Sequence, residues 1–169
     1  MQNRYWIYLR EKRVYIYYLD VYAEHSYKCD KAVKIYCAAA SSASIAAWAV
    51  WNRLSFVWAS FIALSQVITA VYDLLPFSKR MKYAAPFIKE LKLLSNRIES
   101  NWFKVNSGDL TAEEINELLY NFETEYIEME NKYLKKLPSM KNRKFLKKAI
   151  EQADIYLERF YGMEDDNAK

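Results

Sequence analysis

The residues best suited to chemistry are few. The chain has one histidine, His25, and two cysteines, Cys29 and Cys37. Eight residues apart on one helix, the two thiols cannot pair with each other. One histidine and no Cys-x-x-Cys leave a structural zinc site short of soft ligands. His25 reads as a polar residue flanking an apolar run, and a role as pH sensor or ligand is the lesser reading. There is no GxSxG, HExxH or GxxxxGK[ST], and the only cysteine–histidine neighbours are His25 and Cys29. Paired carboxylates occur only in an acidic helical stretch. No enzymatic activity, metal or cofactor is expected.

Polar residues inside two charge-free runs carry more information. Gln66, Thr69 and Asp73 sit at i, i+3 and i+7, with Ser55, Ala59 and Ile62 continuing that face. Lys34, Cys37, Ser41 and Ser44 sit at i, i+3, i+7 and i+10. Small and hydroxyl residues at helical spacing allow helices to pack closely, or they line a water-filled pore when several copies assemble. Ser41, Ser44, Gln66, Thr69 and Asp73 are therefore the candidate pore-lining or intersubunit residues. Gln66 lies well inside its run and needs a partner. That partner is either across a pore or subunit boundary, or on the small-residue face of the first run.

Charge is blocked along the C-terminal half. Residues 111–131 hold seven acids and no base, and residues 132–148 hold eight bases and no acid. Acids at the start of a helix and bases at its end suit the helix dipole. The alternative is an anion site at Lys135, Lys136, Arg143, Lys144 and Lys147, for a nucleotide signal, a partner's acids or anionic lipid heads.

The elements that must hold these residues are helical. Only 2 glycines and 3 prolines occur in 169 residues, too few for the turns and phosphate loops of sandwiches, Rossmann domains or P-loop enzymes. Hydrophobic residues make up 53% of the chain, which excludes a disordered one, and the net charge is +4. Ile35 to Trp51 is a run of 17 residues without a charge, and Leu54 to Tyr72 a run of 19. A bilayer core takes about 20 apolar residues as a helix. The runs predict a transmembrane hairpin (35–51 and 54–73, within 35–75), although Ala38 to Ser44 are small rather than strongly apolar. The other reading is a buried hairpin of a helical bundle.

Lys28, Lys31 and Lys34 before the hairpin, and Lys79, Arg80 and Lys82 after it, place both termini in the cytoplasm. Trp48, Trp51, Trp58, Tyr36 and Tyr72 fall at belt depths. Residues 1–27 are charged throughout and do not read as a cleavable signal.

Around the hairpin, residues 1–34 predict a cytosolic helix running into the first span, with a short strand over Val14–Tyr18 as an option. The tyrosines of this segment suit a membrane interface or subunit contact, or plain packing on the C-terminal helices. Residues 76–163 predict a cytosolic helical bundle. Pro76 ends the second span, and Pro86 sits in the first turn of the next helix. Phe87, Leu91, Leu94, Ile98 and Trp102 form its core stripe. Thr111-Ala112-Glu113-Glu114 is a capping box. It opens a helix with Ile115, Leu118, Leu119, Phe122, Tyr126, Met129, Tyr133 and Leu137 on one face, which Pro138 stops. A last helix from about Lys141 presents Phe145, Lys148 or Ala149, Gln152 or Ala153, Tyr156 and Phe160, and ends at Gly162. Residues 164–169 form a tail. The expected fold is thus an all-α, oligomeric membrane protein.

This layout resembles the SLATT proteins, two-transmembrane effector domains of bacterial nucleotide-signalling and antiphage systems. The likeness rests on the lead-in Tyr27-Lys28-Cys29-Asp30-Lys31-Ala32, the turn at Asn52-Arg53, the exit Asp73-Leu74-Leu75-Pro76-Phe77 and the Thr111-Ala112-Glu113-Glu114 start. It implies an oligomeric pore or channel in the bacterial inner membrane, multi-pass, opened or assembled on an infection signal to cause abortive infection. The implied partners are copies of itself, the bilayer, and a nucleotide messenger or a separately encoded sensor protein. Duplex nucleic acid is not expected. The alternative is a membrane anchor or adaptor whose cytosolic helices recruit a partner protein. A small transporter subunit ranks last, since only Gln66 hints at a midplane site.

Overall fold

The computed structural model describes residues 1–50, 55–72, 76–133 and 142–162, and the side chains of these except 41–50, 55 and 76–82. The described elements are all helices: α1 (Gln2–Val50), α2 (Ser55–Val71), α3 (Pro76–Ser107), α4 (Ala112–Tyr133) and α5 (Arg143–Tyr161). Val14–Tyr18 lies inside α1, so no strand forms there. No glycine or proline interrupts α1, and its ladder satisfies the backbone without a strand partner.

The transmembrane hairpin is overturned. Among the described residues, no helix is long and apolar enough to cross a membrane. The first charge-free run is the end of α1, a helix whose other residues include many charges, and the run itself is rich in alanine and serine. The second run forms α2, which has 17 residues. At 1.5 Å per residue it spans about 25 Å, short of the roughly 30 Å hydrocarbon core. The same finding overturns the multi-pass inner-membrane placement and the orientation built on it.

The chain forms two compact units, Met1–Ala23 with Tyr83–Lys169, and Glu24–Lys82. In the first, α1 and α3 run antiparallel. Tyr5 Oη donates to the Ile98 carbonyl at 2.8 Å, Gln2 Nε2 donates to the Val105 carbonyl at 2.8 Å, and Lys92 pairs with Asp20 at 2.9 Å. Helix α4 returns antiparallel to α3, with Arg97 on Glu125 and Lys132 on Glu90. Helix α5 runs antiparallel to α1, with Arg10 on Asp154 and Tyr18 against Phe145.

The core is what these faces share. Tyr5, Leu9, Ile16 and Leu19 of α1 meet Phe87, Leu91, Leu94, Ile98 and Trp102 of α3, with Ile115, Leu119, Phe122, Met129 and Tyr133 of α4 and Leu157 of α5. The predicted stripe of α3 is buried throughout. On α5, Leu157 is buried and Phe160 is exposed, so the inward face is rotated from the predicted one.

The ends follow local chemistry. The Thr111 N–H donates to Glu114 at 2.7 Å and the Glu114 N–H to the Thr111 hydroxyl at 3.3 Å, closing the capping box. Asn142 caps α5 by accepting from the N–H groups of Lys144 and Phe145. Gly162 stops α5 in the left-handed conformation at φ 59°, donating to the Glu158 carbonyl. Pro76 opens α3, where its missing N–H costs nothing. Pro86 instead falls inside α3, ten residues beyond the helix start, where the ladder forgoes one bond.

In the second unit, α2 lies beside the second half of α1. The Tyr72 hydroxyl donates to Asp30, and Lys34 pairs with the same carboxylate at 2.8 Å. These partners hold the Asp30 carboxyl below its ordinary value, Lys34 more than Tyr72. The Thr69 hydroxyl donates to the Ser65 carbonyl at 2.8 Å and approaches Cys37 Sγ at 3.9 Å.

Candidate interaction surfaces

Of the residues expected to line a pore, two have described side chains, Gln66 and Thr69. Gln66 and Thr69 are exposed on α2, and the side chain buried there is Ser65. Ser65 donates to the Ile62 carbonyl at 2.8 Å, a bond within its own helix. Thr69 does likewise to Ser65. Hydroxyls satisfied by the preceding turn need no partner helix and no water column. The side chains of Ser41 and Ser44, and the whole of Asp73, lie outside the described residues. Among the described residues no helix spans a membrane for such a pore to run through.

The basic segment is described in part. Lys135 and Lys136 lie outside the described residues, while Arg143, Lys144 and Lys147 are exposed at the start of α5. Lys132 points back into the first unit. Its ammonium and the Tyr133 hydroxyl both reach Glu90 Oε1, at 2.9 and 2.6 Å. These two hold the Glu90 carboxyl below the usual range, Tyr133 first.

Sequence reasoning missed a polar cluster in the first unit. Arg13 of α1 pairs with Glu99 of α3, and their side chains are only 12% and 15% exposed. Glu99 Oε1 also accepts from the hydroxyls of Tyr156 and Tyr161 on α5, at 2.8 and 2.7 Å. The Arg13 guanidinium lies 4.4 Å from the Tyr156 ring centroid. One carboxylate therefore ties three helices together. Each residue alone looks like an ordinary surface charge or aromatic, and only the antiparallel register brings them to one place. Nearby, Lys12 lays its ammonium 3.3 Å from the Tyr126 ring centroid. Burial lowers its pKa, against the pull of Glu11, Glu130 and Glu123. Burial pushes the Tyr15 hydroxyl up to about 12. Tyr5, Tyr15, Tyr17 and Tyr18 of α1 thus pack on the C-terminal helices, while Tyr27 is exposed. The Glu99 and Lys12 groups join helices to one another.

An exposed apolar surface lies on α2. Val57, Phe61, Leu64, Ile68 and Val71 recur at intervals of four, three, four and three residues, which is the a/d spacing of a helix–helix seam. Of these, Leu64 is 51% exposed, and Val57, Phe61 and Val71 also face out. Val67 and Phe56 flank the stripe at 59% and 83%. The helix has no charged residue. Exposed apolar patches of this kind mark interaction sites. A second apolar feature is a cleft of about 320 Å³ between α1 and α5, lined chiefly by Val14, Tyr15, Tyr18, Leu146 and Ile150.

Among the described residues, no group of three or more His, Cys, Asp or Glu is placed to hold a metal ion. Compared with protein-family models, curated proteins and solved structures, the chain matches none.

Proposed function

We propose that this chain acts by association: it is a helical interaction protein that pairs through α2 with a second copy of itself and presents its first unit to a partner protein. The observation that carries this reading is the charge-free a/d stripe Val57–Phe61–Leu64–Ile68–Val71 on an exposed helix. A stripe without charge has no electrostatic code for a polar partner, so what covers it must be apolar and of matching period. The α2 of another copy meets both conditions, and self-complementary pairing of identical patches is the commonest way proteins assemble. Two heptads are short for a coiled coil standing alone. Here each helix is already backed by α1, so less ordering is needed on assembly.

Light scattering of the purified chain over a range of concentrations tests the proposal. A mass of two chains or more is expected, falling to one chain in Phe61→Asp/Leu64→Asp. Gln66→Glu, off the stripe, keeps the wild-type mass. A wild-type monomer at all concentrations overturns the reading. So does flotation of the chain with phospholipid vesicles that is lost in the α2 variant, since lipid would then be what covers the stripe.

A further inference from the structure

The pair His25 and Cys29 has geometry that the association reading does not use. The two side chains lie one turn apart on α1, at i and i+4, and so on one face of the helix. Cys29 Sγ and His25 Nε2 stand 3.6 Å apart. A zinc-class ion binds imidazole nitrogen at about 2.0–2.1 Å and thiolate sulfur at about 2.3 Å in tetrahedral geometry, which sets the nitrogen–sulfur separation at about 3.6 Å. The two donor atoms are already at the bite of a chelate. His25 is exposed and Cys29 half-buried, so both are reachable from the surface. Cys29 forms no disulfide.

One chain supplies two ligands, and a closed tetrahedral site takes four. We propose that His25 and Cys29 of one chain and the same two residues of a second copy bind a single thiophilic divalent cation, in a two-fold-symmetric Cys₂His₂ site. Imidazole and thiolate together select zinc over magnesium or calcium, which take oxygen ligands. The neighbouring surface permits the approach. Ala32, three residues beyond Cys29 on the same face, is small and exposed. The nearest flanking charges cancel, because Lys28 pairs with Glu24 at 2.7 Å. The site lies on α1 and does not depend on the α2 stripe.

Cobalt(II) is the probe, titrated into the reduced full-length chain and into Phe61→Asp/Leu64→Asp, with mass read by light scattering before and after EDTA. The expected result is saturation at one cobalt per two chains, with thiolate-to-cobalt charge-transfer absorption and the intense visible bands of tetrahedral cobalt, both bleached by zinc. In the α2 variant, the mass should double with cobalt and halve again with EDTA. Cys29→Ser and His25→Ala, checked for unchanged helix content, should each abolish the charge-transfer band or the one-to-two saturation, whereas Cys37→Ser retains both. Absence of the charge-transfer band overturns the site. Saturation at one cobalt per chain, or binding that survives Cys29→Ser, also overturns it. If the α2 variant fails to lower the mass in EDTA, the α2 pairing falls, and the cobalt stoichiometry still decides this site.

Discussion

Glu99 gathers partners from two other helices on one carboxylate. It pairs with Arg13 and accepts from Tyr156 and Tyr161. Removing one partner of a buried ion pair strands the other charge, which costs about 3–5 kcal/mol. Arg13→Ala should therefore lower the unfolding free energy by that order in urea denaturation. Tyr161→Phe removes one of the two hydrogen bonds to Glu99 Oε1 and should cost far less. Glu90 gives a pH signature. Its carboxyl is held down by Tyr133 and Lys132, so the stability it contributes is present above the unfolded carboxylate range near pH 4.3. That contribution is lost as the pH falls through the lower folded value. Stability measured from pH 7 to 3 should decline with acid, and Glu90→Gln should flatten part of that decline. Neither group was legible in the sequence. An arginine and a glutamate with polar neighbours read as solvated charges, and their pairing across 86 positions depends on a register that no local pattern encodes. The apolar stripe of α3 was legible because Phe87 to Trp102 repeats at the helical period with no competing face.

At the scale of elements, caps and small residues decide where helices stop and how closely they dock. Asn142→Ala removes the acceptor for two N–H groups of α5 and should cost about 1 kcal/mol, read as a lower thermal midpoint with unchanged helix content. Ala149 and Ala153 are fully buried on α5. Ala153→Leu should overpack that contact and destabilise by about 1–3 kcal/mol, with the near-ultraviolet signal of Tyr17, Tyr18 and Tyr156 changing in parallel. The capping box was readable because both of its bonds are local. The membrane hairpin was misread because a count of uncharged residues measures neither where a helix starts nor how apolar its residues are. The first run continues a helix begun at Gln2, and the helix described in the second, Ser55–Val71, has 17 residues. Pro86 was read as a helix start for a similar reason: a proline tolerated inside a helix looks, in sequence, like one placed at its first turn.

At the scale of the whole molecule, the first unit is built from segments far apart in sequence, Met1–Ala23 and Tyr83–Lys169. Tyr5, Leu9, Ile16 and Leu19 are each at most 3% exposed. Burying four such side chains is worth on the order of 10 kcal/mol, comparable to the whole stability of a domain. A chain lacking residues 1–22 should lose its cooperative unfolding transition by circular dichroism. A synthetic peptide of residues 1–22 should restore the transition when added in trans. Recovery by an unrelated amphipathic helix of the same length would show that these four side chains are not what the unit requires. The all-helical class was legible from composition. Which helices share a core was not, because many helix orders satisfy the same stripes.

That discontinuity has a consequence during synthesis. Helix α1 leaves the ribosome with its core-facing side formed but with nothing to lie against. At about 5–20 residues per second, a late partner of α1 on α5, Tyr161, which packs on Trp6, emerges roughly 7–28 s after Leu19. For that interval the nascent chain carries both the bare face of α1 and the apolar α2. The wait for the C-terminal helices is time in which apolar surface stands open to other chains, and slower translation lengthens it.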